Sequence, residues 1–201
     1  MAHLIPFRAL RPVPPVASRV ACVPYDVVNT DEARALARDE PLSFLHVTRS
    51  EIDLPDSASP YDRAVYARAA ANLKSLTDVA PLVIDDQPGL YCYRQQWGDH
   101  VQTGLAACFS VDEYERDVIK KHEKTRPDKE DDRTRHIIEV RAQTGVVFLT
   151  YRASSVVDGL TARVCAGGPL YDFAAPDGIR HTVWAVPASD VIALQDAFAS
   201  I

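Results

Sequence analysis

Apolar positions recur along the 201-residue chain with two periods. Tyr61, Val65, Ala69, Leu73 and Leu76 fall at helical spacing, which predicts a helix over residues 59–76 opened by Ser59-Pro60. Upstream, Pro6, Pro12, Pro14, Pro15 and Pro24 predict an extended, largely non-helical segment. Val13, Val16 and Val20 would lay that segment on the body of the protein. Thr30 is read as the cap of a short helix over 31–38, which Pro41 stops. Residues 43–48 have strand-like composition, and residues 51–59 form a polar loop. Residues 89–96 and 100–109 read as two strands joined around Gly98-Asp99. Ser110 to Glu113 is a capping-box pattern, so a helix through Ile119 should follow. A second helix is expected over about 128–143, with Gly145 ending it, and then a buried-type strand over 146–151. Residues 155–164 stay open between helix and coil because of Gly159. A second hairpin over 170–173 and 179–186, around Pro176-Asp177-Gly178, precedes a closing helix over 189–199. This mixed order favours α+β, with mixed or antiparallel sheet elements, hairpins and four to five helices.

Composition narrows the classes. Hydrophobic residues make up 47% and charged residues 25%, as in a folded globular domain rather than a disordered chain. Four cysteines are too few for a disulfide scaffold, and none forms a CxxC pair, so free thiols in a reducing cytoplasm are expected. The N-terminal residues lack a secretory pattern, and the apolar runs are too short to span a bilayer, so no membrane partner is expected. The net charge of −6 argues against a nucleic-acid coat. The oligomeric state stays open.

GxGxxG, Walker, HExxH and GxSxG motifs are missing. Residues 120–135 instead gather seven basic and five acidic side chains. Lys120-Lys121-His122-Glu123-Lys124-Thr125-Arg126 carries no large apolar residue and so contributes little to a core. If residues 128–143 are helical, Asp132, Arg133 and His136 lie about one turn apart and share a face. Such a group suits a polyanion: arginine offers paired N–H donors and lysine a point charge. Glu123 or Asp132 would serve as a base or Mg²⁺ ligand, and His122 and His136 would exchange protons near neutrality. The plain alternative is a solvated, salt-bridged surface. Tyr25-Asp26 is a second candidate, presenting a hydroxyl and a carboxylate beside a helix start; the alternative is an Asx-type turn. His46 and His181 read as core or rim residues of strands, and Trp97 and Trp184 as packing anchors.

Pro24-Tyr25-Asp26-Val27-Val28, Pro41-Leu42-Ser43-Phe44-Leu45-His46-Val47, and Lys121-His122-Glu123-Lys124-Thr125 followed by Asp132-Arg133 resemble the DUF1015 family across essentially the whole chain. That family is similar to the ParB/sulfiredoxin superfamily, relatives of which are free-serine kinases using ATP or ADP. The resemblance implies part of a ParB/sulfiredoxin-like fold: residues 1–80 and 165–201, with 81–164 as an inserted subdomain carrying the charged motif. It implies a nucleotide-dependent small-molecule kinase, with ATP or ADP and Mg²⁺ as cofactors and a small molecule such as serine as substrate. Asp26, Glu123, Asp132 and His136 would be the catalytic candidates, with Glu32 competing with Asp26. Tyr25, His122, Lys124, Thr125, Arg126 and Arg133 would contact phosphate or ligand; no dedicated metal site is assigned. Family members are typically longer and carry an Asp-Gly-His-His-Arg phosphate motif after the helix matching 189–199. Gly-His-His-Arg occurs nowhere in this sequence, so the chain is expected to be an N-terminal part with little activity alone. A non-catalytic module sensing a nucleotide or anion, or binding another protein, is the competing expectation.

Overall fold

The computed structural model describes residues 2–79, 82–122 and 124–201. In chain order its elements are β1 (Leu10–Pro12), α1 (Ala17–Val20), α2 (Thr30–Ala37), α3 (Leu45–Thr48) and α4 (Arg63–Val79). There follow β2 (Leu82–Ile84), β3 (Tyr91–Trp97), β4 (His100–Ala106), α5 (Val111–Glu115) and α6 (Pro127–Val140). The chain closes with α7 (Ser155–Cys165), β5 (Tyr171–Ala174), β6 (Arg180–Ala185) and α8 (Ala188–Phe198). Short 3₁₀ turns occupy Pro14–Val16 and Ser50–Asp53. The class is α+β. The described helices exceed four to five because α1, α3 and α5 are single turns that carry no readable period. No helix of the described residues is long and apolar enough to cross a membrane. Contacts divide the chain into two compact units: residues 1–14, 83–123 and 149–201, and residues 15–82 and 124–148. The charged run over 120–135 is therefore shared between units.

The first unit is built on an antiparallel sheet of order β4-β3-β6-β5. Trp97 pairs with His100 across the turn, where Gly98 takes φ +57°, a conformation that favours a residue without Cβ. Cys92 of β3 lies opposite Trp184 of β6, and both enter a core completed by Leu90, Val157, Val164, Leu194 and Phe198. The Trp184 indole N–H donates to the Gly167 carbonyl at 3.1 Å, so its polar end is satisfied while the ring is buried. Trp97 is 71% exposed and is not a packing anchor. Gly159 lies inside α7, whose Val157 and Val164 are both held in the core. Ser110 accepts from the Glu113 N–H at 3.4 Å, but the Glu113 carboxylate accepts from the His3 N–H at 3.0 Å instead of closing the box. Helix α5 stops at Glu115, not Ile119, and Asp117 follows with φ +57°.

The second unit is helical. Asn29, not Thr30, caps α2: its side chain accepts from the Glu32 N–H at 3.0 Å, and the Glu32 carboxylate accepts from the Asn29 N–H at 2.8 Å. Helix α4 opens at Arg63, later than Ser59-Pro60 suggested. Residues 43–48 are a turn and then α3, not a strand. The Val47 and Thr48 N–H groups both donate to the Phe44 carbonyl. Leu45 packs with Ala33, Ala37 and Ile52, whereas Val47 packs with Val20, Leu42, Ala69 and Leu76. Residues two apart on a helix point about 200° apart, so one helical turn held between two apolar clusters imitates strand alternation. Helix α6 begins on Pro127 at its first position and ends at Val140. Arg141, with φ +57°, terminates it rather than Gly145. Residues 146–151 form no strand; Val146 is 93% exposed, and Val147 and Phe148 are exposed with it.

Two polar links tie these helices together. The Tyr66 hydroxyl on α4 donates to Asp132 Oδ1 on α6 at 2.8 Å, and the carboxylate is buried. Burial and the Asp132 carboxylate push the Tyr66 hydroxyl up to about 12, so it remains a donor at neutral pH. On α3, His46 Nδ1 contacts Asp53 at 2.9 Å, and the Asn72 amide bridges Asp53 and the His46 carbonyl at 2.6 Å each. The Asp53 hydrogen bond holds the His46 pKa above the ordinary 6.5. His46 is thus a partner in an ion pair on a helical turn, not a rim residue of a strand.

Tyr66→Phe should destabilise the fold by about 1–3 kcal/mol, because it strips a donor from a buried carboxylate; urea unfolding measures this. The His46–Asp53 pair predicts a pH dependence. Its stabilisation is fully present below the unfolded histidine value of 6.5 and fades as pH rises through the raised folded value. The melting-temperature advantage of the native chain over Asp53→Asn should therefore shrink as pH rises above 6.5 through the raised folded value.

Candidate functional site

The second unit brings Tyr25, Asp132, Arg133 and His136 together. Asp132, Arg133 and His136 are all supplied by α6, and the helical spacing puts Asp132 and His136 on its buried side. Asp132 is fixed by Tyr66 at Oδ1, while its Oδ2 accepts from Arg133 Nε at 3.0 Å and Nη2 at 2.7 Å. The two-pronged grip orients the guanidinium plane, and the Tyr25 ring lies 4.2 Å from its central carbon. Nη1 makes no hydrogen bond among the described residues, and the Arg133 side chain keeps 28% of its surface. Arg133 is therefore a planar donor held by a buried carboxylate with N–H groups to spare. That arrangement can receive an oxyanion.

His136 is oriented differently. Its Nε2–H donates to the Val47 carbonyl at 3.0 Å, and Nδ1 is buried without a partner among the described residues. Burial lowers its pKa from the usual imidazole value, so the ring stays neutral where Val47 O demands a donor. This geometry gives His136 a structural hydrogen bond rather than an exposed proton-exchange position.

The remaining candidates do not join this group. Asp26 is exposed on the Tyr25 loop. His122, Lys124 and Thr125 are exposed. Arg126 precedes α6 and pairs with Asp128 at 2.8 Å. Glu123 lies outside the described residues. Glu32 is committed to the α2 cap. Much of the basic charge over 120–135 is matched locally: Lys121 with Asp117, Arg133 with Asp132, and Arg135 with Asp131.

The fit to a nucleotide and Mg²⁺ is uneven. The spare N–H groups of Arg133 suit a phosphate. Asp132 has both oxygens engaged, and no three His, Cys, Asp or Glu side chains gather as a donor set among the described residues. The described residues therefore offer no all-protein Mg²⁺ cage; an ion held jointly with substrate phosphates would need only one or two carboxylates.

Sequence reasoning missed Tyr66, Arg49 with Glu51, and the Asp53 and Asn72 partners of His46. Tyr66 sits one position off the apolar stripe of α4, where its hydroxyl carried no signal. Arg49 contacts buried Glu51 at 3.0 Å, and its Nη2 donates to Thr30 Oγ1 at 3.2 Å. His46, Asp53 and Asn72 line a cavity of about 260 Å³ with Ser43, Ser75 and Leu76. The seven-residue spacing from His46 to Asp53 meant nothing until α3 and the 3₁₀ turn folded it back.

No curated protein and no solved structure matches the chain. A family model described as "Protein of unknown function (DUF1015)" matches residues 4–201. That match spans nearly all of the sequence, and the chain belongs to the DUF1015 family.

Proposed function

We propose that this chain belongs to a nucleotide-dependent small-molecule kinase that transfers phosphate from ATP or ADP to the hydroxyl of a free amino acid such as serine. One observation carries most of the weight: the Arg133 guanidinium, gripped by buried Asp132 and stacked on Tyr25, keeps N–H groups uncommitted. Phosphoryl transfer asks little covalent chemistry of the protein and much positioning and charge neutralisation. A pre-oriented arginine supplies both without an ordering cost at the moment of binding. Exposed Asp26, on the loop that carries Tyr25, is free to accept the proton of an incoming hydroxyl. Lys124, Thr125 and His122 are exposed and available to add contacts. The ParB/sulfiredoxin-like relationship belongs to this proposal, and with it a share of phosphate binding by a Gly-His-His-Arg motif that the sequence lacks.

A second reading is a module that binds a nucleotide or anion without transfer. It is favoured by Asp132, whose two oxygens are engaged by Tyr66 and Arg133 and so are not free to act as a base. Robust nucleotide-dependent phosphorylation of serine would exclude this second reading, whereas little turnover by the chain alone is expected of both.

Calorimetric titration should detect ADP or ATP binding that weakens at least about tenfold in a Lys124→Ala/Arg133→Ala double variant, through loss of charge-assisted contacts. Absence of ADP and ATP binding to the native chain would remove the kinase reading and the nucleotide form of the second. With labelled ATP or ADP and serine, the 201-residue chain alone should form little phosphoserine; robust turnover would show that the missing motif is dispensable.

A further inference from the structure

The cavity of about 260 Å³ beside α3 lies wholly within the helical unit, and none of its side chains belongs to the Arg133 group. Asn72, Ser75, Leu76 and Val79 line it from α4 at positions i, i+3, i+4 and i+7, so one face of that helix forms a wall. Val47 of α3 and Pro41 add apolar surface to Leu76 and Val79. Ser43, His46 and Asp53 supply polar groups opposite Asn72 and Ser75. Sites for drug-sized ligands start at about 300 Å³, so this one suits a smaller molecule.

The unspent polar capacity defines what that molecule must carry. The Asn72 amide nitrogen donates to the His46 carbonyl and to Asp53 Oδ2 at 2.6 Å each, which spends its hydrogens and leaves Oδ1 as an acceptor. Asp53 is paired with His46 but keeps lone pairs. Ser43 Oγ accepts from the Leu45 N–H at 3.4 Å, so its O–H is still to be given. The Ser75 hydroxyl makes no hydrogen bond among the described residues. Arg68, exposed one turn before Asn72 on α4, has no ion-pair partner among the described residues. Burial opposes ionisation of Asp53, yet His46, Asn72 and the Arg68 charge hold its pKa below the usual carboxylate value. The Arg68 charge is thus felt at the cavity.

We infer that this cavity binds a small aliphatic α-amino acid as its zwitterion, with the ammonium at Asn72 Oδ1 and Asp53, the carboxylate toward Arg68, and the side chain against Val47, Leu76 and Val79. Each simpler ligand leaves a group unanswered. An amine meets the Arg68 charge with no anion to offset it. A carboxylic acid sets its own anion against Asp53 and Asn72 Oδ1. A short hydroxylated side chain, as in serine, leaves the apolar wall unfilled. The site takes no phosphate and uses no side chain assigned to the nucleotide, so it and the kinase reading can fail separately.

Calorimetry on the full chain with L-leucine and its two truncated analogues tests the assignment. Isoamylamine lacks the carboxylate and 4-methylpentanoate lacks the ammonium. Each should bind at least about tenfold more weakly than L-leucine, through loss of charge-assisted hydrogen bonds. Arg68→Gln should weaken L-leucine at least about threefold, the scale of an exposed ion pair, while isoamylamine binds it no less well than the native chain. Val79→Trp, which fills the cavity from an exposed position, should abolish L-leucine binding and serves if Arg68→Gln fails to fold by circular dichroism. No L-leucine binding at concentrations up to about 10 mM overturns the site and leaves Arg133 standing. Undiminished L-leucine binding in Arg68→Gln or in Val79→Trp also overturns it, as does either analogue matching L-leucine. L-Serine binding as tightly as L-leucine overturns the aliphatic assignment. Failure to phosphorylate serine counts only against the kinase reading.

Discussion

The buried carboxylate of Asp132 sets the arrangement of the helical unit. A carboxylate withdrawn from water is costly unless its lone pairs find donors. Here the donors come from two places: the Tyr66 hydroxyl on α4 and the Arg133 fork one residue along α6. Satisfying Asp132 thus fixes the contact between two helices and aims a guanidinium with the same bonds. That guanidinium in turn supports the Tyr25 ring and positions the loop ahead of α2. Removing any donor exposes the penalty of the carboxylate rather than merely subtracting one hydrogen bond.

The same economy appears around α3. This single turn has too few internal bonds to persist alone. It is held by Leu45 in one apolar cluster, Val47 in another, and polar links on either side. The Val47 carbonyl accepts from His136, while the His46 carbonyl accepts from Asn72. Two histidines meet opposite electrostatic fates here: burial lowers the pKa of His136, and the Asp53 hydrogen bond raises that of His46. Acid therefore opposes one link and favours the other, so the unit has an intermediate pH range in which both are satisfied.

Much of the fold was legible where local chemistry decides the outcome. The β3–β4 hairpin announced itself through Gly98-Asp99 between β-rich runs, and α4 through its apolar period. Legibility failed where tertiary contacts override composition. Residues 43–48 alternate like a strand because two clusters flank one helical turn. Residues 146–151 have the apolar content of a strand but no partner strand among the described residues. The Asp132–Arg133–His136 grouping was readable because helix geometry alone brings these residues together. Tyr66, Arg49 and Glu51 were not, since their partners lie 66, 19 and 21 positions away. Sequence spacing carries no information about such closures.

The charge cluster over 120–135 shows why counting charges misdirects a search for a site. Its abundance suggested an anion-binding loop, yet Lys121, Arg126 and Arg135 pair with exposed acids nearby. Exposed pairs of this kind are screened and contribute little. The arginines suited to recognition are those whose carboxylate partners are buried, because burial fixes the fork in place and leaves its outer edge open. By that criterion Arg133 emerges from the cluster. What distinguishes a binding arginine here is the rigidity of its support rather than the local density of positive charge.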